Sequence, residues 1–140
     1  MNHSIENNNI LEEGNTKLYN LEDRLIEFAL IILKIVEILP SDKIGNHIGG
    51  QLLRSGTSPA LNYGEAQSAE SKNDFIHKMK VCLKELKETR VALKIIKQKP
   101  LIKENEILDK GLNESEELIA IFGKSIETAK RNINVRKENT

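Results

Sequence analysis

The chain has 140 residues, with 21 basic and 21 acidic side chains, one cysteine and no tryptophan. That length supports one modest domain and excludes two with independent cores. The single Cys82 excludes an intrachain disulfide. No run of ~18 uncharged apolar residues is present, so no membrane span is expected. The opening MNHSIENNN lacks the basic and apolar regions of a signal peptide, which leads us to expect a cytoplasmic protein. Few aromatics and only three prolines among many Leu, Ile, Lys and Glu point to long helices.

Residues 1–16, Asn-rich and acidic, read as a loose arm, and residues 133–140 as a fraying tail. Residues 17–132 read as an all-α, antiparallel up-down-up-down four-helix bundle, because the connections are short. The first helix spans about 17–39. Leu18, Leu21, Leu25, Phe28, Ile32, Ile35 and Leu39 recur at spacings of three and four, a buried helical seam. Ile26, Ala29, Leu30, Ile31, Leu33 and Val36 add apolar surface outside that seam. A bundle buries one stripe per helix, so the excess predicts burial against another subunit. Pro40 ends this helix, and Ser41 is the expected N-cap of the next.

The second helix spans about 42–69, with Ile44, Ile48, Leu52, Gly56, Pro59, Tyr63 and Ala66 on one face. Its centre, QLLRSGTSPALNYGEAQ, carries a proline, two glycines and several polar groups. Pro59 has no N–H for the carbonyl of Ser55 and predicts a bend, with nearby hydroxyls serving the freed groups. The glycines predict close approach of a neighbouring backbone. The third helix starts after Ser71, an N-cap, and stops before Pro100. Its seam is Phe75, Met79, Cys82, Leu86, Leu93 and Ile96. The fourth spans about 103–132, with Leu108, Leu112, Ser115, Ile119, Phe122, Ile126 and Ala129 in heptad-like spacing, a row that continues to Ile133.

Two polar constellations stand out. Arg54, Ser58, Asn62 and Glu65 form one strip on the second helix, and Glu85, Glu88 and Thr89 border the seam of the third. A hairpin turning near Ser71 sets Arg54 level with Glu88 and Glu65 level with Lys78. The strips then pair as interhelical salt bridges and hydrogen bonds, since a partly buried charge needs a partner. A pocket with an acid and a base, using Arg54, Asn62 and Glu65, is the enzymatic alternative. The second constellation is basic. Residues 72–99 hold nine bases and three acids, a net charge of +6 in a neutral protein. Lys80, Lys84, Lys87 and Lys94 fall within about 80° of one another on the helix, flanked by His77, Arg90 and Lys97. Such a stripe can track a phosphate backbone; the bland alternative is a solvated lysine face. No aromatic interleaves with the lysines, so base stacking has no support. The three histidines lie far apart, no metal-ligand spacing occurs, and no cofactor motif or catalytic constellation is present. Cys82 reads as a small core residue.

QLLRSGTSPALNYGEAQ followed by DFIHKMKVCLKELKET resembles the four-helix-bundle family named for proteins encoded in intervening sequences of bacterial 23S rRNA genes. The matching residues are Gln51, Arg54, Ser58, Asn62, Glu65, Asp74, Phe75, Ile76, Glu85, Glu88 and Thr89, and LIAIFGKSIETAKR is similar to the family's last helix. The resemblance covers roughly residues 20–131. It implies a four-helix protomer, a homo-oligomeric ring that is typically a pentamer, and no known enzymatic activity. The related accessory protein of diversity-generating retroelements forms a similar basic barrel that associates with a reverse transcriptase and nucleic acid. The expectation is therefore a non-enzymatic homo-oligomer contacting RNA or DNA through Lys80, Lys84, Lys87, Arg90 and Lys94. The alternative is a scaffold for a protein partner.

Overall fold

The computed structural model describes residues 21–138, which form four helices: α1 (Leu21–Ile38), α2 (Lys43–Gln67), α3 (Lys72–Gln98) and α4 (Glu106–Glu138). The predicted arm, Lys17 and the seam position Leu18 lie outside the described residues, as do the last two residues of the tail. On α1, the seam from Leu21 to Ile35 is buried, as is Leu39 just beyond it. Ile31 joins that core, although its position suggested the outer surface. Ile26, Leu30 and Leu33 do face outward, at 44%, 52% and 37% exposure.

The turn into α2 is capped by Asp42 rather than Ser41. Its Oδ1 accepts the Gly45 N–H at 2.8 Å. Gly45 is obligatory there, because a Cβ at that position would lie 1.9 Å from the Pro40 carbonyl oxygen. The buried line of α2 runs Gly45, Gly49, Leu52, Gly56, Pro59, Tyr63, Ala66. Ile44 falls one residue off that line and is 53% exposed, contrary to the face expected from the sequence. The helix continues unbroken through Pro59. The Thr57 and Ser58 hydroxyls donate to the carbonyls of Leu53 (2.7 Å) and Arg54 (2.6 Å). They therefore serve positions preceding the Ser55 carbonyl that the proline leaves without its usual donor. Gly56 admits a side chain, not a backbone: a Cβ there would lie 2.7 Å from both Cγ atoms of Ile32.

Ser71 caps α3 as expected, with its Oγ accepting the Asp74 N–H at 3.0 Å. Met79, Cys82, Leu86, Leu93 and Ile96 are buried, and Ile76 takes the core position one residue beyond half-buried Phe75. On α4 the buried line is Leu108, Gly111, Ser115, Leu118, Phe122, Ile126. The heptad reading passed over Leu118, while Leu112 and Ile119 are only half-buried. The helix runs six residues past Asn132, to Glu138. Residues 133–138 contain no Gly or Pro, and Ile133 packs on the core.

Each helix packs on its chain neighbours, and α4 closes onto α1. Gly56 meets Ile32 while Gly49 meets Leu39. Glu65 meets Lys78 while Arg54 meets Glu85. Arg90 meets Glu116 while Lys97 meets Asp109. In each pair the numbers rise on one helix as they fall on the other, so these neighbours run in opposite directions. Across the core, Tyr63 of α2 meets Phe122 of α4 edge to face, with ring centroids 6.0 Å apart. Each fully buried Leu, Ile or Phe contributes about 1.5–3 kcal/mol.

Cys82 is wholly buried, with Sγ 3.6 Å from the Pro59 carbonyl oxygen. Burial pushes its thiol from an ordinary value of 9.0 up to about 12. The unfolded chain loses that proton near its ordinary value while the folded chain keeps it. This contribution to stability is therefore intact below about pH 9 and is lost as pH rises toward about 12. Burial raises the Tyr63 phenol in the same direction. Denaturant midpoints measured at successive alkaline pH values should fall through that window, and fall less steeply in Cys82→Ala. Gly56→Ala should destabilise by about 1–3 kcal/mol through overpacking against Ile32. Gly123→Ala, where a Cβ meets nothing within 4 Å, should gain up to about 1 kcal/mol. Equal midpoints for these two glycine variants would contradict the packing described.

Candidate nucleic-acid interface

The α3 helix turns a different chemistry toward each neighbour. Toward α2 lies the predicted polar strip, and most of it is paired. Arg54 reaches Glu85 at 3.1 Å and Glu88 at 3.0 Å, one guanidinium nitrogen to each carboxylate. The Glu88 hydrogen bond, then the Glu85 charge, hold Arg54 above its ordinary pKa. Lys78 lies 3.6 Å from Glu65, the level expected from the hairpin register. Beneath these surface pairs, the buried Thr89 hydroxyl donates to the Glu85 carbonyl at 2.8 Å and lies 3.0 Å from the buried Ser55 hydroxyl. Ser55 was not singled out from the sequence. Ser55 adjoins Arg54 and Thr89 adjoins Glu88, so the hydroxyl pair lies beside the charge pair in the same α2–α3 joint.

Two members of the strip behave otherwise. Ser58 donates within its own helix, to the Arg54 carbonyl, and so does not cross to α3. Asn62 sits half-buried between them and Glu65. With Arg54, Glu85 and Glu88 engaged with one another, the strip offers no poised acid and base. Among the described residues, no group of three or more His, Cys, Asp or Glu is arranged to hold a metal ion.

Away from the core, α3 is basic. Lys80, Lys84, Lys87 and Lys94 are exposed, and no carboxylate of the described residues lies within ion-pair distance of them. The row from Lys80 to Lys94 is about 21 Å long at 1.5 Å per residue. Val91 and Ile95 lie beside it, 53% and 45% exposed. Together with Ile48 of α2 they line a shallow groove of about 710 Å³ that Lys80, Lys84 and Lys87 border.

The α4 side revises the sequence reading in three places. Arg90, expected in the basic stripe, is half-buried and lies 3.4 Å from Glu116, so it belongs to the α3–α4 joint. Lys97, expected as a flank, pairs with Asp109 at 2.9 Å. Lys130, not singled out from the sequence, lies against Lys80, and that neighbouring ammonium lowers the Lys80 pKa. Glu116, Asp109 and Lys130 come alongside α3 only when α4 packs. No local pattern in α3 reports them.

The sequence profile of the 23S rRNA-intervening sequence protein family matches residues 17–124. No curated protein matches the chain. A similar solved structure is the crystal structure of a protein of unknown function, from the S23 ribosomal protein family, of Bacteroides thetaiotaomicron. It is 32% identical, covers 75% of this chain and 96% of its own, and superposes with a TM-score of 0.69. The profile runs from the start of α1 through more than half of α4. The chain belongs to the 23S rRNA-intervening sequence protein family.

Proposed function

We propose that this protein is a non-enzymatic homo-oligomer that binds RNA or DNA along the outer face of α3. One observation carries the reading. Lys78, Arg90 and Lys97 on α3 are each matched by a carboxylate, whereas Lys80, Lys84, Lys87 and Lys94 share one face with no such partner among the described residues. Unmatched lysines on one line attract a polyanion by releasing its condensed counterions. With no aromatic among them, they contact phosphates rather than bases, so binding is sequence-tolerant.

Self-association draws support from the outer apolar surface. Ile26, Leu30 and Leu33 of α1 are exposed in the protomer, and so are Leu53 and Leu61 of α2, at 39% and 73%. Gly50 and Gly64 share the outward side of α2, and a Cβ at either would meet only open space. Apolar side chains and bare backbone facing water are what a further subunit would cover. A closed ring, expected to be a pentamer from the family resemblance, would repeat the lysine row around its circumference and add avidity for a long strand.

A scaffold for a protein partner is the second reading. Val91 and Ile95 favour it, because a face that contacts only phosphates gains nothing from exposed apolar side chains. A partner protein that stays bound after nuclease treatment would establish it.

Replacing Lys80, Lys84, Lys87 and Lys94 together by Gln should leave the circular dichroism spectrum unchanged and weaken RNA binding. The slope of log affinity against log salt should fall in magnitude by about 2–3, near 0.7 for each lost contact to a single strand. Absence of RNA or DNA binding at low ionic strength would remove the nucleic-acid reading. In light scattering the protein should elute at about 79 kDa, five protomers of 15.8 kDa. Leu30→Glu should shift it toward the single-protomer mass, and a monomeric wild type at micromolar concentration would remove the oligomer reading.

A further inference from the structure

A second basic feature sits at the junction of α3 and α4, round the corner from the lysine row. The first three turns of α3 and the far part of α4 flank an open cleft of about 390 Å³. Lys80 reaches it from α3 and Lys130 from α4. Asn73, His77 and Asn134 complete its polar wall. Ile76 and Ile133 form the floor, and Ile76 is 7% exposed. Among the described residues, no carboxylate lines it.

The two ammonium groups converge from different helices, so their nearness is fixed by the packing of α3 on α4 and not by local sequence. Like charges held together repel one another, and the lowered proton affinity of Lys80 beside Lys130 expresses that repulsion. An anion seated between them converts repulsion into two charge-assisted hydrogen bonds. Two convergent cations match a dianion better than a single negative charge. A phosphodiester inside a strand carries one charge; a terminal phosphomonoester carries about 1.5–2 near neutral pH. The side-chain amides and the imidazole supply neutral or cationic donors for its remaining oxygens.

We infer that the cleft formed by Lys80, Lys130, Asn73, His77 and Asn134 is a binding site for a phosphomonoester dianion. The group can come from a free nucleoside monophosphate or from the phosphorylated end of a nucleic-acid strand. A strand end as the source rests on the reading of α3 as a nucleic-acid surface, and would anchor the strand at one end of the lysine row. Lys80 stands at the meeting point of the row and the cleft, lining both.

The test uses the full chain and separates the two readings. Inorganic phosphate is titrated against chloride at constant ionic strength, above the second phosphate ionisation, and followed by amide NMR. Phosphate-specific, saturable shifts at Asn73, His77 and Asn134 are expected. Lys130→Gln should weaken phosphate binding by about threefold to tenfold, and Lys130→Arg should restore most of it. Both variants keep an exposed helical position, so the thermal midpoint of Lys130→Gln should not drop. Adenosine monophosphate should shift the same signals, and adenosine should not.

For a strand end, an RNA carrying a 5′-phosphate should bind the wild type several-fold more tightly than its 5′-hydroxyl twin. Lys130→Gln should erase that difference. Lys84→Gln with Lys87→Gln and Lys94→Gln should weaken both RNAs alike and leave inorganic phosphate untouched. Phosphate shifts no greater than those of chloride, or phosphate binding unaltered in Lys130→Gln, would overturn the site. Phosphate binding at the cleft without any RNA binding would retain the site, assign it to free nucleotides and remove the α3 reading alone.

Discussion

The structure turns on a ledge of small residues in the middle of α2. Ser55, Gly56 and Pro59 sit side by side, and three neighbours seat on them. Ile32 of α1 occupies the space a Cβ would fill at Gly56. Thr89 of α3 meets the Ser55 hydroxyl, and Cys82 of α3 meets the Pro59 carbonyl. A larger residue at Gly56 would push α1 away. A larger one at Ser55 would lift α3. The ledge therefore sets both the distance and the rotation of α3 about its own axis. Once Thr89 and Cys82 face α2, helical geometry sends Lys80, Lys84 and Lys87 outward. The glycine and proline in α2 are unfavourable for an isolated helix, and close packing against both neighbours offsets that locally.

Charges on this protein divide by what they do. Arg54 with Glu85 and Glu88, Arg90 with Glu116, and Lys97 with Asp109 join adjacent helices at the surface. Exposed pairs of this kind are worth about 0–1 kcal/mol each. Their greater effect is on register, because a one-turn slip would part Arg90 from Glu116 and Lys97 from Asp109. The unmatched lysines are the converse: they add repulsion to the protomer and nothing to its fold. Lys80 beside Lys130 is the clearest instance, two cations brought together by packing with no anion of the described residues to separate them. Native proteins accept such unfavourable arrangements where a site needs them.

Much of this was legible in the chain. The helix seams, the Ser71 cap, the level of Glu65 with Lys78 and the pairing of Arg54 with Glu88 all follow from 3.6-residue periodicity and one short hairpin. They depend on spacings within one helix or across one turn. The errors have two sources. Ile44 and Phe75 sit near helix starts, where the buried line is set by the incoming turn: Gly45 under the Pro40 carbonyl displaces Ile44, and Ile76 displaces Phe75. Leu118 was missed because Gly111 with Leu118, and Leu112 with Ile119, both keep heptad spacing beside Leu108, Ser115 and Phe122, and only the packing of α4 chose the first pair.

What the sequence by itself determined is the helical class, the family, and the presence of a strongly basic third helix, since each rests on local composition, spacing or motif. What only the tertiary structure decided is which of those basic residues remain unmatched. Arg90 and Lys97 look no different from Lys87 and Lys94 in a list of residues. They are separated by the packing of α4, which brings Glu116 and Asp109 to one side of α3 and Lys130 to its beginning. Charge matching depends on through-space distance between residues far apart in the chain. That distance exists only after the core has closed.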